Sequence, residues 1–381
     1  MMRGRFSPGF DVRGFDVRGF AAAIVLATSM STSACGDLDD ITTVKDLRVL
    51  AVRAEKSGFL IDLADPGAVA DPADLQTTLT ALVVDPTSGG QEITFSALGC
   101  PDFIDAITSA TGQSTRVCAP AGQPPTPGLP PDLAMALATV EIAPSTPTAP
   151  TAAGGIEYQP VVPAFGFSPT QIRLFFTPQP AIPALDQSIA YNRDFGIDAI
   201  VDLSFNRGDQ WASAIKRVVY WPDLRAEDPS EVPNQNPGIM AIEFFRTRNS
   251  RTGELSEPWL TMPVVSIGAK DKLYVRPVPA PDAVEHYPLR VRNTATRQVE
   301  TRMMEELLVF DFFTTAGTFS PSERDNQPPI LDPNAPIRLD SQLNLPALKD
   351  VPASGMVDLW IVAHDERAGS DWAHASIMIT P

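Results

Sequence analysis

Val201–Val219 reads VDLSFNRGDQWASAIKRVV, and Val357–Ile379 reads VDLWIVAHDERAGSDWAHASIMI. Each begins with Val-Asp-Leu, runs on as a strand, crosses a polar turn containing Gly, and resumes at Trp-Ala-x-Ala with a second strand. Setting Val201 against Val357 brings Trp211 onto Trp372, with five extra residues in the second copy that a longer turn absorbs. Alternating runs around a polar Gly turn are the signature of a β-hairpin. Two such hairpins imply two domains of one type, each ending in its own. Because strand side chains alternate, Val201 and Leu203 are expected on one face with Asp202 on the other, and Val357, Leu359 and Ile361 should behave alike.

The same period of two recurs along the chain. In Leu75–Val84 it places Leu75, Thr77, Leu79, Ala81 and Val83 on one face, between two Asp-Pro pairs that read as turns. Leu47–Glu55, Glu92–Leu98, Gln171–Phe176, Ala199–Phe205, Ala241–Arg248 and Glu306–Thr315 read as strands too. The best helical candidate, Pro131–Glu141, is short and flanked by prolines. Pro is 38 of 381 residues, which disfavours long helices and suits short strands joined by ordered loops. The expected fold class is all-β: two immunoglobulin-like β-sandwich domains in tandem, with Pro-rich loops in the first.

Pro222–Gly238 is rich in Pro and charge and lacks periodicity, as a linker does. The first domain is then 45–221 and the second 239–381. Ala119–Pro131 and Ala143–Gly155, rich in Pro, Ala and Thr, are expected to be extended loops that hold no core. The formal charge of −17 leaves no basic patch to neutralise phosphates, which argues against a nucleic-acid partner.

At the N-terminus, Arg3, Arg5, Arg13 and Arg18 precede the apolar run Phe20–Met30. That run is too short to span a bilayer and has the length of a signal-peptide core. Small residues follow, and then Cys35. This arrangement resembles a bacterial lipoprotein signal with its lipobox, although Thr32 stands where lipoboxes usually carry Leu. Residues 1–34 are read as the signal, Cys35 as the lipidation site, and 35–44 as a lipidated tether. Cleavage removes four Arg and two Asp, which takes the charge from −17 to −19. Cys100 and Cys118 remain as an even pair in an exported chain and are expected to form a disulfide.

Residues with catalytic potential are few. No GxSxG, HExxH, GxGxxG or P-loop pattern is present, and His286, His364 and His374 are the only histidines. His364 next to Asp365 is read as a polar strand end rather than part of a triad. His364 and His374 facing each other across the hairpin would supply too few ligands for a metal. Asp365, Glu366 and Asp371 surround a Gly turn and have oxygens suited to Ca²⁺, but the spacing is not that of an EF-hand and the first copy keeps only Asp209. The turn is read as a solvated hairpin tip. Trp211 and Trp372 are read as packing residues at strand starts rather than sugar-stacking rings. No catalytic residue, metal site or cofactor is expected.

LRVLAVRAE, LTALVVDP, KRVVYWP, NQNPGI, FFTTAGTFSP and LWIVAHDERAGSDW together resemble uncharacterised lipoproteins of myxobacteria and their relatives. The resemblance implies an immunoglobulin-like fold and an envelope location, and carries over no functional residues. The expected function is a non-enzymatic, lipid-anchored cell-envelope protein, a structural or binding module in the outer membrane that faces the periplasm or the surface. Its partners would be the membrane, through Cys35, and envelope proteins or polysaccharide. The alternatives are a carbohydrate- or protein-binding adhesin and a lipid-anchored hydrolase.

Overall fold

The alternation in the sequence becomes two pairs of facing sheets. A computed structural model describes residues 41–380 except 70, 103–117, 119–130, 152–154, 179–185, 230, 269–271, 294 and 329–331. Cys35 and most of the Pro-rich stretch Ala119–Pro131 lie outside the described residues.

The first half contains β1 (Arg48–Ala54), β2 (Gly58–Ile61), β3 (Gln76–Val84), β4 (Ile93–Asp102), β5 (Val140–Thr148), β6 (Glu157–Tyr158), β7 (Val161–Gly166), β8 (Ile197–Arg207) and β9 (Gln210–Pro222). One sheet has the order β1-β3-β6, with β7 also on β3, and the other runs β2-β9-β8-β4-β5. Leu79, Ala81 and Val83 from the first sheet meet Phe95, Val201, Leu203 and Phe205 from the second in one buried cluster. Each large apolar side chain buried there contributes roughly 1.5–3 kcal/mol.

The second half contains β10 (Ile239–Arg248), β11 (Leu255–Pro258), β12 (Val264–Ser266), β13 (Leu273–Pro279), β14 (His286–Arg292), β15 (Val299–Glu305), β16 (Leu308–Thr314), β17 (Thr318–Ser320), β18 (Glu323–Asp325), β19 (Ser341–Asn344), β20 (Met356–Asp365) and β21 (Ser370–Thr380). Its sheets run β11-β10-β13-β19-β17 and β12-β21-β20-β16-β18, and β14-β15 is a separate ribbon. Val275, Phe310, Phe312, Val357, Leu359 and Ile361 belong to its core. In both halves the last strand pairs antiparallel with the strand before it and parallel with an early strand, β9 with β2 and β21 with β12. Both are immunoglobulin-like β-sandwiches.

The quoted hairpins are β8–β9 and β20–β21, and they share a register. Val201 pairs with Lys216 and Trp211 with Asn206; Val357 pairs with Ile377 and Trp372 with Val362. Each Trp therefore stands opposite the fifth residue after the Val of Val-Asp-Leu. The first turn is two residues long, while the second hairpin runs one pair further and closes over a longer turn.

Local signals overturn some readings. Gln171–Phe176 is not a strand but part of helix α2 (Pro169–Phe176), which follows α1 (Pro131–Ala136). The Ser168 hydroxyl accepts from the Gln171 amide at 3.2 Å, and the Gln171 side chain accepts from the Ser168 amide at 2.9 Å. This capping box, with Pro169 in the first turn, starts a helix that buries Ile172, Phe175 and Phe176 on one stripe. A further helix, α3 (Asp186–Phe195), precedes β8. The helix expected over Pro131–Glu141 stops at Ala136, and Val140–Thr148 pairs with β4 as an edge strand, where Pro144 and Pro147 are tolerated. Ala143 of that expected coreless loop is buried in the core.

The two sandwiches lie against each other. Ala51, Leu82 and Val84 on the outer face of β1 and β3 pack on Trp360 and Val362 of β20. The Trp360 indole donates to the Glu157 carboxylate at 2.9 Å. Described residues of the expected tether and linker take part in the fold. Thr42, Thr43 and Val44 are buried, and Thr43 bridges to Thr314. Between β9 and β10, Leu224, Glu231 and Asn234 are buried.

Candidate functional site

Among the described residues, several buried polar groups gather at the junction of the sandwiches, Lys216, Asn234, Asp365, Arg367 and Ser370 among them. Ala212, Ala214, Lys216 and Val218 share the inward face of β9, so strand alternation alone turns Lys216 away from solvent. Its side chain crosses to the second hairpin turn, where the ammonium donates to the Ala368 carbonyl at 2.6 Å and the Ser370 hydroxyl at 3.0 Å. It is 6 % exposed. Burial pushes Lys216 down to about 8, against the pull of the Asp365 charge.

The turn itself is a built structure. The Asp365 carboxylate accepts from the amides of Arg367 at 2.8 Å and Gly369 at 2.7 Å. Any side chain at Gly369 would meet Asp365 at 2.0 Å, so the position requires glycine. Asn234 donates to Asp365 at 3.3 Å and to the Arg367 carbonyl at 3.1 Å. Asn236 donates to the Ala54 carbonyl at 2.6 Å and accepts from the Ser370 amide at 3.0 Å. The Ser370 hydroxyl donates to the Val52 carbonyl at 2.6 Å. The two asparagines of the NQNPG stretch thus join the turn of the second sandwich to its neighbours.

Beneath the turn lies a carboxyl cluster. Arg367 pairs with Glu285 at 2.9 Å and stacks over Tyr287, its guanidinium 4.2 Å from the ring centre. The Tyr287 hydroxyl donates to Glu366 at 2.6 Å. Glu306 is buried, and one of its oxygens has no hydrogen-bond partner among the described residues. Burial, with the neighbouring Asp365 charge, pushes Glu306 up to about 8. Burial also raises Glu285 and Asp365. Beside the junction opens a cleft of about 380 Å³, lined by residues that include Val52, Ile215, Lys216, Asp311 and His364.

The expected site residues divide as follows. Cys100 and Cys118 are bridged, with their Cα atoms 5.6 Å apart. His364 faces Asp311 at 3.1 Å rather than Asp365, and that hydrogen bond raises its pKa. His374 holds Asp358 at 3.0 Å. The two do not face each other, since His364 pairs with Ser370 and His374 with Trp360. His286 is exposed, 3.5 Å from Glu305. Asp365, Glu366 and Asp371 do not converge: the first closes the turn, the second receives Tyr287, and the third pairs with Arg53 at 2.6 Å. Among the described residues no three His, Cys, Asp or Glu side chains are grouped to hold a metal ion. The turn is no solvated tip, because Asp365, Arg367 and Ser370 are buried. Trp372 is partly buried under Arg53, whereas Trp211 is 71 % exposed and packs in no core.

No protein-family model matches the chain, and no curated protein matches it. Solved structures similar to it include red sea bream transglutaminase, at TM-score 0.19 and 9 % identity over 89 % of this chain and 32 % of that one. The dimeric latent PorU of Porphyromonas gingivalis is similar at 0.17 and 8 %, over 88 % and 24 %. Escherichia coli alpha-2-macroglobulin activated by porcine elastase is similar at 0.21 and 10 %, over 89 % and 22 %. The chain spans a third or less of the length of each. The fold described above rests on strand order, not on these likenesses.

Lys216, Glu306, Arg367 and Asn234 were not among the residues expected to matter. For Lys216 a signal exists, since it shares a strand face with Ala212, Ala214 and Val218. Asn234 and Glu306 carry no comparable pattern.

Proposed function

We propose that the chain is a non-enzymatic module of the bacterial cell envelope, held in the outer membrane by lipid on Cys35. Its two sandwiches act as one rigid body that presents binding surfaces. The observation that supports this reading is the junction. The polar groups with chemical potential, Asp365, Glu366, Asp371, His364 and Arg367, are each engaged in pairings, most of them holding the hairpin turn and the sandwich junction in place. The Cys100–Cys118 bridge suits an oxidising compartment.

The test is expression from the native sequence in a Gram-negative host, followed by detergent phase separation and intact mass. The expected product begins at an acylated Cys35 and enters the detergent phase, and Cys35→Ser leaves it. Stable anchoring of this kind needs more than one acyl chain. An unacylated wild-type chain in the aqueous phase would defeat the lipid anchor.

A further inference from the structure

On the outer face of β4, β8 and β9, small polar side chains stand together at the turn end of the hairpin. Register places the side chains of this face in rows across the three strands. Thr94, Asn206 and Trp211 form one row, and Ser96, Ser204 and Ser213 form the next. Leu98, Asp202 and Ile215 follow, and beyond them Cys100, Ile200 and Arg217. Cys118 covers that last row, its sulfur 3.7 Å from the Ile200 carbonyl. Arg217 is paired with Asp198 there.

The first two rows form a shelf without a fixed charge. Small side chains make it flat, and the Trp211 indole stands at its border, 71 % exposed. Strand spacing gives the six positions a footprint of roughly 10 by 7 Å between their centres. The hydroxyls of Ser96, Ser204 and Ser213, the Asn206 amide and the Trp211 indole N–H make no hydrogen bond to any described residue. Each hydroxyl both donates and accepts, and the amide does the same through two atoms. A protein-binding surface would instead place apolar and aromatic side chains or Arg at its centre. Phosphate or uronate groups would find no cation in these rows.

We propose that this shelf binds neutral polysaccharide, with Trp211 stacking on the apolar face of a sugar ring and the serine, threonine and asparagine groups bonding to its hydroxyls. The uncharged, hydroxyl-rich shelf is complementary to a ligand whose own surface is hydroxyls and C–H faces. An aromatic ring provides an apolar face at low conformational cost. This deepens the reading of the chain as a binding module, and does not depend on the lipid at Cys35.

Affinity electrophoresis of the full chain carrying Cys35→Ser provides the test. The gels contain xylan, galactomannan, amylose or hydroxyethylcellulose, with alginate as the charged comparison. At least one neutral polymer is expected to retard the protein. Trp211→Ala should weaken that retardation tenfold or more, and Trp211→Tyr should retain most of it. Ser204→Asp, which adds charge to an exposed position, should weaken it as well, while His286→Ala should leave it unchanged. Circular dichroism of each variant keeps loss of binding separate from loss of fold. Retardation by alginate alone, by none of the polymers, or equally in wild type and Trp211→Ala would overturn the proposal. None of these outcomes bears on the anchor, which the detergent partition of the wild-type chain tests by itself.

Discussion

Trp211 and Trp372 occupy the same register in their two hairpins, yet one is exposed and the other is covered by Arg53. The positions around them differ in the same sense. Ser204, Asn206 and Ser213 in the first hairpin correspond to Trp360, Val362 and His374 in the second. The second sheet turns this outer face toward the first sandwich and carries large groups there. The first sheet leaves the same face free of that contact and carries small polar groups. The repeat thus preserves backbone register while its outer faces serve different purposes.

Trp360 should dominate the stability of the junction. It is fully buried, and its indole N–H is bonded to Glu157. Trp360→Ala is expected to cost about 3–5 kcal/mol, as large aromatic truncations in cores do. Trp211→Ala should change stability by less than about 0.5 kcal/mol, as exposed substitutions do. Urea unfolding monitored by circular dichroism measures both, and equal effects of the two substitutions would contradict the assignment of faces.

The disulfide joins residues 18 apart in sequence. Closing a loop of that length contributes about 3 kcal/mol in the chain-entropy model. The Cys100→Ala, Cys118→Ala double variant should lose stability of that order in non-reducing urea titrations. Mass analysis of the Cys35→Ser chain without reductant should find no free thiol; two free thiols would remove the bridge from the account.

Ser168→Ala tests the capping box of α2. Removing the hydroxyl that accepts the Gln171 amide should cost about 1 kcal/mol. Ser168→Asp should cost less, because Asp also caps. The same stretch shows how far sequence reasoning reached. The β content, both hairpins and their shared register are legible, since alternation and turn residues act over a few positions. In Gln171–Phe176 the apolar spacing fits a strand or a helix, and the Ser-Pro-x-Gln just before it decides for helix. The junction is less legible because it depends on contacts between residues far apart, such as Lys216 with Ser370 and Asn236 with Ala54. The exposure of Trp211 follows from which sheet face the second sandwich covers, and the hairpin sequence does not specify that.

Lys216 links the junction to alkaline pH. Burial pushes its ammonium down to about 8 in the folded chain, against the ordinary 10.5 of an unburied lysine. Between those values the unfolded chain binds a proton that the folded chain has released, so this residue makes stability rise with pH across the window. Lys216→Met removes the titrating group while keeping a similar stem. The difference in unfolding free energy between wild type and Lys216→Met should therefore shift in favour of wild type from about pH 8 to about pH 10. A constant difference over that range would show that the lysine titrates normally.

Glu306 acts in the opposite sense at lower pH. Burial, with the charges of Asp365 and Glu285, outweighs Arg367 and the Glu285 amide and pushes its carboxyl up to about 8. The ordinary value for this carboxyl is 4.5. Between the two values the folded chain holds a proton that the unfolded chain has lost. The stability this group contributes is complete below the unfolded value and is lost as pH rises through about 8. Glu285 and Asp365 are raised in the same direction and add to the effect. The urea midpoint of the wild-type chain should accordingly fall from about pH 5 to about pH 8.5. Glu306→Gln keeps an acceptor for the Glu285 amide and has no proton to lose. It should match wild type at the acid end and exceed it at the alkaline end, with a shallower dependence between. If wild type and Glu306→Gln instead follow parallel curves, the carboxyl ionises on folding as it does in water, and Arg367 compensates all three acids.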